Sequence, residues 1–368
     1  MLADRVAETA GRSHRSLAGR TQLAQVIEKS RSLLELPESH LLAIIPASDT
    51  GAMEAALWSL LGPRGVDALA WETFGMDWLT DIRDQLKLID LRALTAEYGR
   101  LPNLEQVDFS RDVVFPWNGT ASGVCIPDGQ WIAEDRQGLT ICDATSAVFA
   151  MNLPWDRLDV ATYSWQKVMG GEAQHGMMIL GPRAVERLES YSPPWPLPKI
   201  FQLTHGSHLN RSLFESKTIN TPSMLAVADA LDGLDWALSM GGLTPLIGRC
   251  RDNFDLIAEW VAQSVWVGFV AEDPATRSVT SVCLKITDPW FLGLESSQQA
   301  ITATRVVLLL EQEKAGYDLG AYRKSPPGLR IWAGATVEKE NIEALLPWLD
   351  WAYATVKKSS PSRIRKPA

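Results

Sequence analysis

In "ATYSWQKVMGGEAQHGMMIL" a single lysine, Lys167, stands between an apolar strand-like run and a Gly-Gly pair, with a second apolar run, Met177 to Leu180, just beyond. Lysines ordinarily decorate solvated faces, so one set where the chain turns inward is a candidate for chemistry. Its amine can form a Schiff base with a carbonyl compound. Asp143 in "GLTICDATS" also ends an apolar run. Burial there demands a cationic or hydrogen-bonding partner; capping the next turn is the plainer alternative. Ser48, Asp49, Thr50 and Gly51 lie between "LLAIIP" and "AMEAALWSLL". Backbone N–H groups at a helix start can cradle a phosphate, although the same residue types cap helices in any case. "NGTASG", after "RDVVFPW", is either part of a site or only a turn. A lysine amine, an acid for a ring nitrogen and a helix-start cradle for a phosphate are the three things that pyridoxal phosphate requires.

These residues need a scaffold that brings strand ends together. From about residue 20, helical and strand-like segments alternate: "TQLAQVIEKSRSLLEL" has helical spacing, "HLLAIIPAS" is a short apolar run, and "GAMEAALWSLLG" is a helix stopped by Gly62. "VDALAW", the helix "DWLTDIRDQLK" and "LKLIDL" follow, then the strands "RDVVFPWN", "GLTICDATS", "RLDVATYSW" and "HGMMILG". Near-continuous apolar runs are the mark of strands buried on both faces. Their alternation with helices predicts an α/β layer with a mostly parallel sheet, whose ligands collect beyond the carboxyl ends of the strands. After the proline-dense "SYSPPWPLPK" comes a long helix, "MLAVADALDGLDWALSMGG". A smaller α+β unit with strands "RSVTSVCLKI" and "GLRIWAG" then closes on the helix "EKENIEALLPWLDWAYATV". The expected division is 1–245, 246–356 and a disordered basic tail, 357–368.

Composition narrows the function classes. Of 368 residues 46% are hydrophobic and 21% charged, and no apolar run approaches the length of a spanning helix. The acidic, non-apolar start "MLADRVAETAGRSHRS" reads as neither signal nor transit peptide. A net charge of −9 argues against broad nucleic-acid binding. Cys125, Cys142, Cys250 and Cys283 are scattered, as expected of reduced cysteines in a cytoplasmic protein. His205 and His208 lie three apart without a cysteine or acidic partner, so no metal motif is present.

"DVVFPWNGTASGV", "TICDATSAVFA" and "ATYSWQKVMGGEAQHGMMIL" together resemble the cofactor segments of the class V, fold-type I aminotransferases, and within them the phosphoserine aminotransferase branch. The likeness runs from "GRSHRS" to "EALLPWLDWAY". It implies a pyridoxal-phosphate enzyme that makes phosphoserine from 3-phosphohydroxypyruvate with glutamate as amino donor, and in many members also acts on a phosphorylated precursor of vitamin B6. On this resemblance Lys167 would be the Schiff-base lysine, Gln166 would bond the phenolic oxygen and Asp143 would face the pyridine nitrogen. Thr145 would reach the phosphate, Thr120 would contact the ring substituents and Trp78 would stack on the ring. Without the likeness, Trp78 reads as a core tryptophan. Ser48, Asp49, Thr50 and Gly51 occupy the phosphate-loop position, commonly richer in glycine. Asn220 and Thr221 in "TINTPS" match the segment that reaches the neighbouring subunit's cofactor phosphate, which implies a homodimer with shared sites.

For the substrate, Arg330 in "PPGLRIWAG" matches the family's carboxylate clamp, a role suited to a planar guanidinium. His14 and Arg15 in "SHRS" match the segment that crosses to the substrate phosphate, and Arg323 resembles its second arginine, here preceded by Tyr322 where many members have histidine. Relatives usually carry a further segment ahead of "SHRS", so a shortened start is expected. Two rival readings are another class V aminotransferase, such as alanine–glyoxylate aminotransferase, and a non-catalytic homologue. The first would not need His14, Arg15 and Arg323; the second would not need Lys167, Asp143, Gln166 and Arg330.

Overall fold

The computed structural model describes residues 2–322 and 324–359. Its principal elements in chain order are α1 (Leu2–Thr9), α2 (Leu17–Leu33), β1 (Leu41–Pro46), α3 (Ser48–Leu60), β2 (Val66–Ala70), α4 (Thr73–Thr80), β3 (Leu91–Thr95), β4 (Asp112–Pro116), β5 (Thr140–Asp143), β6 (Val160–Ser164), β7 (His175–Leu180), α5 (Pro182–Ser190), α6 (Met224–Ser239), α7 (Leu243–Gln263), β8 (Val267–Phe269), β9 (Ser281–Ile286), α8 (Ser296–Gln312), β10 (Gly328–Trp332) and α9 (Lys339–Ser359). No helix among the described residues is long and apolar enough to cross a membrane.

The first seven strands form one sheet in the order β1-β7-β6-β5-β4-β2-β3. β3, β2, β4, β5 and β6 pair in parallel, whereas β7 runs antiparallel to both β6 and β1. Every residue of β2, β4, β5, β6 and β7 is buried, which is why these strands read as unbroken apolar runs. Alternate residues serve opposite faces. Leu42, Ile44, Phe115, Tyr163 and Ile179 pack with Val26 of α2 and Leu231 of α6. Ala43, Ile45, Val114, Ile141 and Met178 pack with Met53 of α3 and Leu188 of α5.

A second sheet, β8-β9-β10, is antiparallel and carries its own core, in which Val282, Leu284 and Ile331 meet Val306 of α8 and Leu349 of α9. α7 joins the two cores, with Leu246 and Cys250 in the large one and Ile257 in the small one. The change of core therefore falls inside a helix rather than in a linker at residues 245–246.

Two sequence expectations are corrected. The segment "LKLIDL" forms no strand before Leu91, because α4 runs on into a wider turn over Asp81–Gln85 that carries the chain through Leu86. The expected tail starts late, since α9 continues to Ser359 and Lys357 pairs there with Asp288; residues 360–368 lie outside the described residues. The lead before "SHRS" forms α1, which Arg5 ties to Asp235 of α6.

The start of α3 sits unusually close to two strands. A Cβ on Gly51 would lie 2.0 Å from the Pro46 carbonyl oxygen, and one on Gly176 would lie 2.2 Å from that of Ser48. Neither backbone neighbour can swing aside as a side-chain tip would. Gly51→Ala and Gly176→Ala are each expected to cost on the order of 2–4 kcal/mol of stability, read as a lowered urea midpoint; an unchanged midpoint would contradict the close approach.

Candidate active site

Parallel strands put their carboxyl ends on one edge of the sheet, and the polar residues gather there. β1 delivers Ser48 to Gly51, β2 delivers Glu72 and then Trp78 on α4, β4 leads to Asn118 and Thr120, β5 ends at Asp143, and β6 leads to Gln166 and Lys167. A cavity of about 390 Å³ is lined by Ser48, Asp49, Thr50, Trp78, Thr120, Asp143, Thr145, Gln166 and Lys167, with Glu54, Asp77 and Asp81 on its acidic rim. That size lies in the range of small-molecule sites.

Asp143 is held from two sides. Thr145 N donates to Oδ1 at 3.0 Å and Trp78 Nε1 donates to Oδ2 at 3.1 Å. The buried Trp78 is thus both a cavity wall and a clamp on the carboxylate. Thr120 Oγ1 donates to Ser146 Oγ at 2.7 Å, and Asn118 Nδ2 donates to Ser146 Oγ at 2.9 Å and to Thr280 Oγ1 at 3.0 Å. Ser281 Oγ donates to the Thr120 carbonyl at 2.6 Å, so the smaller sheet pins this loop. Gln166 Oε1 and Asn118 Oδ1 are buried without a hydrogen-bond partner. Such acceptors await donors, and a polar aromatic cofactor that carries a hydroxyl group fits them.

Burial lowers the pKa of Lys167, the Arg330 guanidinium lowers it further, and Asp143, Glu72 and Asp49 pull it back. The net direction is downward, so the neutral, nucleophilic form is easier to reach than for an exposed lysine. Lys167 Nζ also lies 5.6 Å from the centre of the Trp332 ring. Lys167 and Gln166 line a second cleft as well, with Asp318, Arg330 and Trp332 on its walls. Arg330 stands on β10 opposite Cys283. Its guanidinium carbon lies 4.9 Å from the centre of the Tyr322 ring, and its Nε–H is buried and unpaired. Lys167 therefore sits at the junction of an acid-lined cavity and a cleft that presents a free guanidinium donor.

The remaining sequence-derived candidates lie elsewhere. His14, Arg15, Asn220 and Thr221 converge, with Arg20 and Lys217, around a separate pocket of about 410 Å³. Arg15, Asn220 and Thr221 are exposed there. Ser223 N donates to His175 Nε2 at 3.1 Å, which anchors this segment to the start of β7. Arg323 lies outside the described residues. Asp49 turns its side chain inward, away from the phosphate-cradle role open to its backbone: it is 7% exposed, with Asp143, Thr145 and Thr162 facing its carboxyl.

Sequence reasoning missed Glu72. It is 2% exposed, accepts from Gly75 N at 2.9 Å and Ala121 N at 3.1 Å, and so ties the start of α4 to the Thr120 loop. An acid directly after "VDALAW" is the same signal that picked out Asp143. Trp332 was also missed, since an alternating strand does not announce which face meets the lysine.

The sheet order with one antiparallel strand is that of a fold-type I pyridoxal-phosphate-dependent transferase. No family model matches the chain. It is 57% identical over 347 residues to the phosphoserine aminotransferase of Methanosarcina barkeri, an alignment that spans 94% of this chain and 91% of that protein. The chain belongs to the phosphoserine aminotransferase family. Among solved structures, a phosphoserine aminotransferase from Cytophaga hutchinsonii superposes with a TM-score of 0.79 at 18% identity, over 95% of this chain and 93% of that one. A pyridoxal-phosphate-bound phosphoserine aminotransferase from Trichomonas vaginalis superposes with a TM-score of 0.74 at 16% identity, over 95% of each chain. These two likenesses carry the fold.

Burial raises Glu72 from 4.5 to about 7, against the two backbone N–H donors. The folded protein then keeps a proton that the unfolded chain releases, so this group's stabilising effect falls as pH rises from 4.5 to about 7. At roughly 1.4 kcal/mol per pH unit the difference is about 3 kcal/mol. Glu72→Gln should flatten the fall in urea-unfolding free energy between about pH 5 and about pH 7.5 by this order; an unaltered slope would show that Glu72 is not the group responsible.

Proposed function

We propose that the protein transfers an amino group between glutamate and 3-phosphohydroxypyruvate, giving phosphoserine and 2-oxoglutarate, with pyridoxal phosphate held in the cavity beside Lys167. The observation that carries this reading is the position of Lys167 between the Asp143–Trp78 cavity and the Arg330 cleft. Bound there, pyridoxal phosphate supplies an electron-withdrawing ring that takes up the electron pair left when the substrate's α-C–H bond breaks.

The chain's own residues do the rest. Asp143 presents a carboxylate to the ring nitrogen, oriented by Thr145 N and Trp78 Nε1. Gln166 and Thr120 would hold the ring's polar edge, and Thr145, Ser48, Thr50 and the backbone of Asp49 and Gly51 would offer donors for the phosphate. Lys167 Nζ, whose pKa burial lowers, takes the proton from the α-carbon. Arg330 offers its unpaired Nε–H and the rest of its planar fork to the α-carboxylate. The second reading, an alanine–glyoxylate type of transamination, has no use for the cationic cluster around His14 and Arg15.

We further infer a homodimer with shared sites. The cavity beside Lys167 is ringed by Glu54, Asp77, Asp81 and Asp143, a poor environment for two phosphates unless cations come from outside. His14, Arg15, Arg20 and Lys217 form such a cationic patch around Asn220 and Thr221. Leu17 and Leu225, close in sequence to the patch, are 77% and 61% exposed, as residues awaiting a second copy would be. We place the protein in the cytoplasm on its four buried free cysteines.

Lys167→Ala should abolish both turnover with phosphoserine and the visible absorbance of the lysine-bound cofactor; near-normal turnover would overturn the reading. Lys167→Ala and Arg15→Ala are each expected to be inactive with phosphoserine. Co-refolded in equal amounts, they should recover about a quarter of wild-type activity, since statistically half the dimers carry one intact shared site. No recovery would rule out contribution of Arg15 across the interface.

A further inference from the structure

The start of α3 departs from what a phosphate-binding turn needs. Ala47 and Ser48 adopt left-handed backbone conformations, φ 66° and 57°, which residues with a Cβ enter at a cost. With the helix so started, Asp49 points its carboxyl into the protein. It faces Asp143 and Thr145 at the end of β5 and Thr162 on β6. Thr162 Oγ1 is itself directed to Met53 Sδ at 3.6 Å.

Two carboxyl groups that line one cavity, both more than nine-tenths buried and each in the other's field, cannot both stay charged at small cost. One proton between them removes the repulsion. The hydrogen bonds say where it resides. Asp143 receives an N–H on each oxygen, from Thr145 and from Trp78, so it is the anion. Asp49 Oδ1 is buried and receives none. An oxygen without a donor suits an uncharged acid.

We propose that Asp49 is a positioning residue, a neutral carboxyl that donates its O–H to the Asp143 carboxylate and fixes the direction in which that carboxylate meets the cofactor's ring nitrogen. The inference rests on the assignment of Asp143 to the ring nitrogen made above. With donors on Asp143 from Thr145 N, Trp78 Nε1 and Asp49, one lone pair remains for the ring nitrogen. Burial and the neighbouring Asp143 both push the Asp49 acid well above the usual carboxylate range, in the direction the geometry requires. The arrangement also explains an aspartate in a loop expected to hold a phosphate: its backbone faces the anion while its side chain, uncharged, does not.

The test compares Asp49→Asn with Asp49→Ala. Asparagine keeps an uncharged donor in the same place; alanine removes it. The readouts are the dissociation constant of pyridoxal phosphate, from quenching of tryptophan fluorescence, and the pH titration of the bound cofactor's absorbance. Asp49→Ala is expected to weaken binding by ~10-fold or more, the size of losing one hydrogen bond to a charged group, and to shift the absorbance titration. Asp49→Asn is expected to restore both towards wild type. Equal damage in the two variants would show that a charged Asp49 is needed, and an unaffected Asp49→Ala would show that it positions nothing; either overturns the proposal. Infrared spectra of the wild-type protein give a check independent of variant folding. A protonated-carboxyl band at neutral pH that Asp49→Asn lacks supports the proposal, and its absence from the wild type overturns it. If the wild type itself bound no pyridoxal phosphate, the proposed function would fall first; wild-type binding with the wrong variant pattern defeats only the role of Asp49.

Discussion

Lys167, Asp143, Asp49 and Glu72 stand close enough for their charges to influence one another in a place with little water, and much of the surrounding structure answers the cost of that. Desolvation pushes Lys167 towards its neutral form and Asp49 and Glu72 towards their protonated forms. Each group is then moved part of the way back by a neighbour: Lys167 by the acids, Glu72 by two backbone N–H groups. The outcome is a nucleophilic amine within reach of a fixed carboxylate, an arrangement that water would screen away.

Holding those groups requires rigid strand ends. Four of the parallel strands, β2, β4, β5 and β6, are buried on both faces, so their carboxyl ends cannot shift independently. β7 returns antiparallel and brings Gly176 under the first turn of α3, where only a glycine leaves room. The smaller sheet contributes as well. Thr280 and Ser281 grip Ser146, Asn118 and Thr120, so the cofactor side of the site and the sheet that carries Arg330 are braced together.

The cations and the acids are segregated within one protomer. The cavity beside Lys167 is rich in carboxyl groups, and the pocket of His14, Arg15, Arg20 and Lys217 is basic. In the proposed dimer with shared sites, opposite fields on separate surfaces would favour one orientation of the two copies over the others. In that reading, specificity for a phosphorylated substrate and assembly of the dimer are one electrostatic property.

Most of the fold was legible in the chain, because strands buried on both faces must be apolar throughout and helices must alternate with them; the order of motifs and the resemblance they carry placed Lys167, Asp143 and Arg330. The missed features depend on direction rather than on residue type. Nothing local says that Asp49 turns inward, since that follows from the left-handed Ala47–Ser48 start forced by the contact of α3 with β1 and β7. Glu72 looked like any acid after a strand until the Thr120 loop closed over it, and "LKLIDL" looked like a strand until the turn at Asp81–Gln85 consumed it. Residue type and period thus settled which segments are buried and which groups can react. Only tertiary packing decided which carboxyl faces which, because the path that brings residues 49, 72, 143 and 167 together runs through contacts between distant parts of the chain.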